Sequence, residues 1–223
     1  MINLVLITSI IDTPNIPLSY YPTRSAYSIS ERFEQTKKTF ETIREKIPNA
    51  KIFLVECSNL TEDQNDYFIK NSDYFLNLFY NHEKKECIYS ISKALGEGTM
   101  TISALEYLKK NNILYDNFFK ISGRYWLSEN FLYENFLNEN IIIHNIENNI
   151  HNTLTSLYKL HKKNINEFYE FLISNKEKMN QCIGYEVLFA IFLNIEKKNK
   201  VIHLEKIGVN GLIAVERDIF IDN

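Results

Sequence analysis

The chain has 223 residues, of which 45% are hydrophobic and 24% charged, with a formal net charge of -3. That length supports one sizeable core and is short for two, and the composition is too apolar for a disordered chain. Acidic and basic residues are mixed, with no block of about five or six Lys or Arg, so a nucleic-acid surface is not indicated.

Glycine and proline number only 6 and 4, which argues against a long flexible linker. The cysteines Cys57, Cys87 and Cys182 are odd in number and widely spaced. They fit neither a disulfide framework nor a zinc site and read as reduced cytosolic thiols. The apolar run that ends near Ile11 is too short to span a bilayer and lacks the basic start of a signal peptide. A cytoplasmic protein with no transmembrane segment is the expectation.

Leu4-Val5-Leu6-Ile7 is an unbroken apolar run suited to a strand buried on both faces. Residues 8–30, with Pro14, Pro17 and Pro22, form a loop of a length that is usually functional or disordered. Ser30 is the expected N-cap of a helix over 31–46, with Phe33, Thr36, Phe40, Ile43 and Ile47 at helical spacing and Pro48-Asn49 closing it. A strand at 51–56, a helix opened by Thr61 and a short strand at 74–79 follow. Residues 87–110 read as a helical stretch broken by Gly96 and Gly98. A strand at 117–122 leads into Gly123-Arg124-Tyr125-Trp126, and Ser128 is expected to start the next helix. Strands at 141–143 and 153–160, helices at 165–174 and 183–195, and short strands at 201–204 and 212–215 complete the reading. Alternating strands and helices imply an α/β fold with a mostly parallel central sheet flanked by helices. Ligands of such sheets bind at the carboxyl ends of the strands, here Thr8-Ser9, Glu56-Cys57-Ser58 and Ser122-Gly123-Arg124.

The most specific segment is Lys120-Ile121-Ser122-Gly123-Arg124-Tyr125-Trp126-Leu127. Gly123 allows a sharp turn or the close approach of a ligand, and Arg124 offers a planar, permanently charged fork for phosphate. A structural ion pair is the competing role for Arg124. Arg24 and Arg32, in the loop and the helix after it, are placed to reach a diphosphate, or are ordinary surface charges. Ser92-Lys93-Ala94-Leu95-Gly96-Glu97-Gly98 is neither a dinucleotide fingerprint nor a Walker A loop; its glycines let the helix pack against the sheet near a nucleotide that Lys93 would meet, or mark a helix break with a surface Lys. Glu186, near the start of an apolar helix, is a candidate general base, with a solvated or capping carboxylate as the alternative. His144, His151 and His161 lack metal-ligand spacing, His82 and His203 are isolated, and Asp12 reads as a loop cap, with a base- or ribose-binding carboxylate as the alternative.

Together, the first strand, Thr23-Arg24-Ser25, Glu31-Arg32-Phe33-Glu34-Gln35-Thr36, residues 52–58 and Lys120-Ile121-Ser122-Gly123-Arg124-Tyr125 resemble small GT-A-like glycosyltransferases. Such proteins glycosylate the capsid protein of large DNA viruses and occur in bacterial surface-polysaccharide clusters. The resemblance covers most of the chain through short motifs. It implies a single GT-A-like, Rossmann-like domain over 1–223, with a nucleotide-sugar-binding half at 1–127 and an acceptor-binding half at 128–223. It also implies sugar transfer from a UDP- or dTDP-sugar to a hydroxyl of a glycan or glycoconjugate. In that reading Thr8, Ser9, Glu56, Cys57 and Ser58 border the nucleotide, Arg24 and Arg124 face the diphosphate, and Glu186 activates the acceptor.

The family usually carries an Asp-x-Asp motif that binds a divalent metal. This chain has none, and Ser122-Gly123-Arg124 stands at the matching position. A Mn or Mg ion therefore stays open as a cofactor, with Arg124 or Arg24 as the cation that would take its place. Two other readings stay open: a nucleotidylyltransferase-like enzyme, and a non-catalytic module of a larger glycosyltransferase.

Overall fold

The structure, a computed structural model, describes residues 1–145, 153–195 and 201–222; His151 lies outside them. Every residue of β1 (Asn3–Ser9) is buried, because the strand has a neighbour on each side and helices on each face. It pairs in parallel with β2 (Ala50–Glu56) and with β4 (Asn117–Ser122), and β3 (Tyr74–Asn77) pairs in parallel with β2. Beyond β4 the sheet turns antiparallel through β7 (Thr153–His161) and β6 (Ile141–Asn145), and β8 (Val201–Leu204) pairs in parallel with β6. The order is β3-β2-β1-β4-β7-β6-β8, so one mostly parallel sheet runs through both halves of the chain.

Alternation along β1 divides the core, since neighbouring side chains of a strand point to opposite faces. Val5 and Ile7 pack with Phe40 and Ile43 of α1 (Ile29–Lys46). Leu4 and Leu6 pack with residues of α4 (Lys93–Lys110), α5 (Ile165–Ser174) and α7 (Tyr185–Ile195). Shorter helices α2 (Glu62–Asn71), α3 (His82–Tyr89) and α6 (Lys176–Asn180) fill the connections. Among the described residues no helix is long and apolar enough to cross a membrane.

A second, antiparallel sheet joins β5 (Tyr125–Leu127) to β9 (Val209–Leu212), and β9 to β10 (Ile219–Phe220). Three threonines of α1, one per turn, bind its near edge. Thr36 Oγ1 donates to the Gly123 carbonyl at 3.1 Å, Thr39 Oγ1 donates to the Tyr125 carbonyl at 2.6 Å, and Thr42 Oγ1 accepts from the Leu127 amide at 3.1 Å. Gly211 lies opposite Tyr125, whose ring occupies the space a Cβ would need.

Several expectations are corrected. The cap of α1 is Ser28, not Ser30: its hydroxyl accepts from the Glu31 amide while the Glu31 carboxylate accepts from the Ser28 amide, a capping box. Gly96 and Gly98 do not break α4. A Cβ at Gly98 would overlap Met179 of α6, and one at Gly96 would sit 3.0 Å from the Ile88 carbonyl of α3. The glycines serve close packing, and the break falls at 90–92, where Ser92 caps α4. Ser128 starts no helix, because β5 pairs with β9 and the Ser128 amide donates to the Gly208 carbonyl at 2.9 Å. The strand expected at 212–215 lies at 209–212, and the following residues turn. β3 stops at Asn77, whose side chain accepts from the Phe79 amide at 3.0 Å, and α6 went unforeseen.

Candidate functional site

The carboxyl ends of β1 and β4 open into a cleft. Thr8, Ser9, Ser122, Gly123 and Arg124 form its floor. Arg32 of α1, Lys93 and Glu97 of the first two turns of α4, Tyr20 and Arg24 of the long loop, and residues 213–215 after β9 form its walls. Gly123 lets the floor close. Its amide donates to the Thr8 carbonyl at 2.9 Å, and a Cβ there would meet both Ser9 Cβ and Thr36 Oγ1 at 3.0 Å.

Two guanidinium groups, those of Arg32 and Arg124, lie together in this cleft. Arg32 is buried, with Nε donating to the Ile10 carbonyl at 2.6 Å and Nη1 donating to Ser25 Oγ at 3.3 Å. Burial lowers its pKa to about 9, and the charge of Arg124 adds to the fall. Arg124 donates to the Leu212 carbonyl and holds β9 beside it. Neither guanidinium has a carboxylate within ion-pair distance among the described residues. Two like charges held together, with the Glu56 carboxylate acting on Arg32 only from beyond ion-pair distance, favour a bound anion.

Arg24 lines the same cleft, but its donors are engaged by the backbone. Nε donates to the Ile16 carbonyl at 3.3 Å, Nη1 to Ile88 at 3.2 Å, and Nη2 to Tyr89 at 3.2 Å and to Ser90. The side chain thereby ties the loop to the carbonyl-rich end of α3, where a cation is favourable.

A second cleft adjoins the first and shares Tyr20, Lys93 and Glu97 with it. Its far side is Cys182, Gly184, Tyr185 and Glu186. Glu186 Oε1 lies 3.5 Å from Lys93 Nζ and accepts from Thr155 Oγ1 at 3.4 Å. Burial pushes the Glu186 pKa up, but the Lys93 charge and further hydrogen bonding outweigh it and the net shift is downward. Desolvation opposes the Lys93 charge, and the carboxylates of Glu186 and Glu97 overcome it, raising the Lys93 pKa.

Glu56, Cys57 and Ser58 line neither cleft. Glu56 Oε1 accepts from the amides of Ile11 at 3.1 Å and Cys57 at 3.0 Å, and from Ser58 Oγ at 2.5 Å. This buried carboxylate organises the loop after β1. Burial pushes the Cys57 thiol up to about 12, which leaves it unreactive. None of the described histidines lines either cleft. Thr8, Ser9, Arg24, Arg32, Lys93, Ser122, Gly123 and Arg124 therefore share the first cleft, and Glu186 stands in the second.

Sequence reasoning named the segments that hold Glu97 and Lys120 but gave neither residue a role, and it read 212–215 as a strand. Lys120 is fully buried and donates to Glu97, to Ser122 Oγ at 3.2 Å and to the Thr155 carbonyl at 3.3 Å. Two signals were present. Lys120 interrupts an otherwise apolar strand, where a charge needs a partner, and Glu97 stands four residues after Lys93 on one helix face.

The residues leaving β4 do not fit a divalent cation. They are a hydroxyl, a glycine and a guanidinium, with a second guanidinium beside them. Among the described residues no group of three or more His, Cys, Asp or Glu is placed to hold a metal.

No protein-family model matches the sequence, and no curated protein does. Solved structures share the architecture. The apo-form glycosyltransferase GlyE of Streptococcus pneumoniae TIGR4 aligns with a TM-score of 0.52 at 11% identity, over 92% of this chain and 45% of its own. A protein of Desulfovibrio desulfuricans G20, described as a nucleotide-diphospho-sugar transferase, aligns with a TM-score of 0.50 at 9% identity, over 92% of this chain and 80% of its own. A glycosyltransferase involved in glycosylation of the major capsid of PBCV-1 aligns with a TM-score of 0.46 at 10% identity, over 92% and 81%. The chain thus spans less than half the length of GlyE. The likeness establishes the fold, which is GT-A-like.

Proposed function

We propose that the chain is a glycosyltransferase that moves a sugar from a nucleotide-sugar, of the UDP- or dTDP- type, to a hydroxyl of a glycan or glycoconjugate. The observation that carries this reading is the pair Arg32 and Arg124, which have no carboxylate within ion-pair distance among the described residues and line a cleft at the carboxyl ends of β1 and β4. The GT-A-like fold is the ground for choosing sugar transfer over other anion chemistry. In this reading residues 1–127 supply most of the donor site. Residues 128–223 supply Glu186 and the turn that completes the wall.

The two adjoining clefts suit two substrates. The donor diphosphate lies against Arg124 and Arg32, whose charges stabilise it as it leaves. The acceptor enters the second cleft, and its hydroxyl oxygen bonds to the anomeric carbon as the bond from that carbon to the diphosphate oxygen breaks. Glu186, kept ionised by Lys93 against the effect of burial, takes the hydroxyl proton. Thr8, Ser9, Ser122 and Gly123 border the donor, and Lys93 links the two clefts. No step is assigned to a metal.

Calorimetry with UDP, with and without Mn²⁺, on wild type and Arg124→Ala tests this. Binding that Arg124→Ala weakens supports the reading. A preference for triphosphates would redirect it to nucleotidylyl transfer. Failure of UDP, dTDP, GDP and CMP to bind would leave a non-catalytic module.

A further inference from the structure

Glu97 is the one carboxylate lining the cationic cleft among the described residues, and it lies on the wall shared with the second cleft. Its charge is matched by Lys120 and acts on Lys93, and a carboxylate is not itself a ligand for phosphate. Its placement is fixed from beneath. Lys120, fully buried, holds Oε1. Ser122 Oγ at 3.2 Å and the Thr155 carbonyl at 3.3 Å orient the ammonium, and the rings of Tyr158 and Tyr185 flank it at 5.9 and 6.0 Å. The Glu97 side chain keeps 12% of its surface exposed and lines both clefts, while Oε1 is the oxygen that Lys120 holds. An ionised carboxylate accepts hydrogen bonds and donates none. Its natural ligand here is a neutral group rich in O–H donors. The boundary between the diphosphate-binding arginines and Glu186 is also where a sugar in transit must lie.

We propose that Glu97 reads the hydroxyl groups of the donor's sugar and is a specificity-determining residue of the donor site, with Lys120 as its positioning residue. This rests on the nucleotide-sugar reading above. It makes the donor a sugar with free hydroxyls on the face turned towards α4. A carboxylate that receives a hydroxyl gains a charge-assisted bond, whereas a sugar lacking that hydroxyl leaves the oxygen unpaired as water is excluded.

The test is calorimetry on wild type and Glu97→Gln, with UDP, dTDP and GDP and with UDP-glucose, dTDP-glucose and GDP-mannose. The amide keeps an acceptor for Lys120. The ratio of nucleotide-sugar affinity to nucleoside-diphosphate affinity is expected to fall about tenfold in Glu97→Gln. The nucleoside diphosphate itself should bind as well as before or somewhat more tightly, because a negative charge has left the cleft. Should Glu97→Gln fail to fold, Glu97→Asp, which keeps the charge and withdraws it by one methylene, is expected to lose the same ratio. An unchanged ratio, or parallel weakening of both ligands, overturns the proposal. A wild type that binds no nucleoside diphosphate overturns the nucleotide-sugar reading first and this one with it, so the two failures are distinguishable.

Discussion

Arg32 and Arg124 face one cleft, and the charge of Arg124 adds to burial in lowering the pKa of Arg32 to about 9. A bound diphosphate would relieve both burdens at once. UDP at about 100 times its Kd should stabilise the wild type by about 2.7 kcal/mol. Arg124→Ala should bind UDP at least about tenfold more weakly, as loss of a charge-assisted contact implies. Thermal melts at one UDP concentration check this, and an undiminished shift in the variant would remove Arg124 from the anion site.

Glu186 gives a pH prediction. Its folded pKa lies below the usual carboxylate value, burial being outweighed by Lys93. A base must be ionised to act, so transfer should persist through mild acid and fall only as pH drops through that depressed value. The same sign holds for stability: its contribution is present above the unfolded carboxylate pKa and lost as pH falls through the folded one. Lys93→Met removes the opposing charge, so the acid limb of the pH–rate profile should move to higher pH. Glu186→Gln should lower turnover by about 10²- to 10⁴-fold with UDP affinity little changed. An acid limb that stays put in Lys93→Met would separate Glu186 from the proton transfer.

Gly123→Ala should destabilise by about 1–3 kcal/mol, since the new methyl meets Ser9 Cβ and Thr36 Oγ1 at 3.0 Å. The strain falls on the floor of the cleft, so UDP affinity should fall as well. Denaturant melts and calorimetry on the variant measure the two effects. Full stability would show that Thr36 can give way.

Asp222 holds the loop before β9. Its Oδ2 accepts from the amides of Ile207 and Gly208, both at 2.6 Å, and of Val209 at 3.3 Å, in a buried setting. Asp222→Ala leaves those donors unpaired and should cost about 2–4 kcal/mol. It should also weaken UDP binding, because β9 carries residues 213–215 to the cleft. A variant that is destabilised yet binds UDP normally would detach the hairpin from ligand binding.

What could be read from the sequence follows the range of the forces involved. β1, β4 and α5 were legible because an apolar run or a helical period is a local signal of burial. The start of α1 was missed by two residues because Ser28 and Ser30 are both good caps, and only the reciprocal bond with Glu31 decides between them. Gly96 and Gly98 looked like helix breakers because Met179 and the Ile88 carbonyl, the atoms that require them, are far away or in another helix. The β5–β9 pairing had no local signature, and with it went the role of residues 213–215. For the candidate site, the cluster at the ends of β1 and β4 was legible from strand polarity. Glu56, Cys57 and Ser58, at the end of β2, are covered by the loop that follows β1, which strand ends alone do not reveal.

The cleft joins Thr8 to Val215 across almost the whole chain. Its outer wall depends on β9, which reaches β5 only through contacts of high sequence separation. Such contacts are made only once their loop has been closed, at an entropic cost. A ligand that bridges Arg124 and the 213–215 turn needs that loop already closed, so it would act mainly on the rate of unfolding and hardly on the rate of folding. The bound protein would gain lifetime, most visibly as resistance to proteolysis within the β9–β10 hairpin.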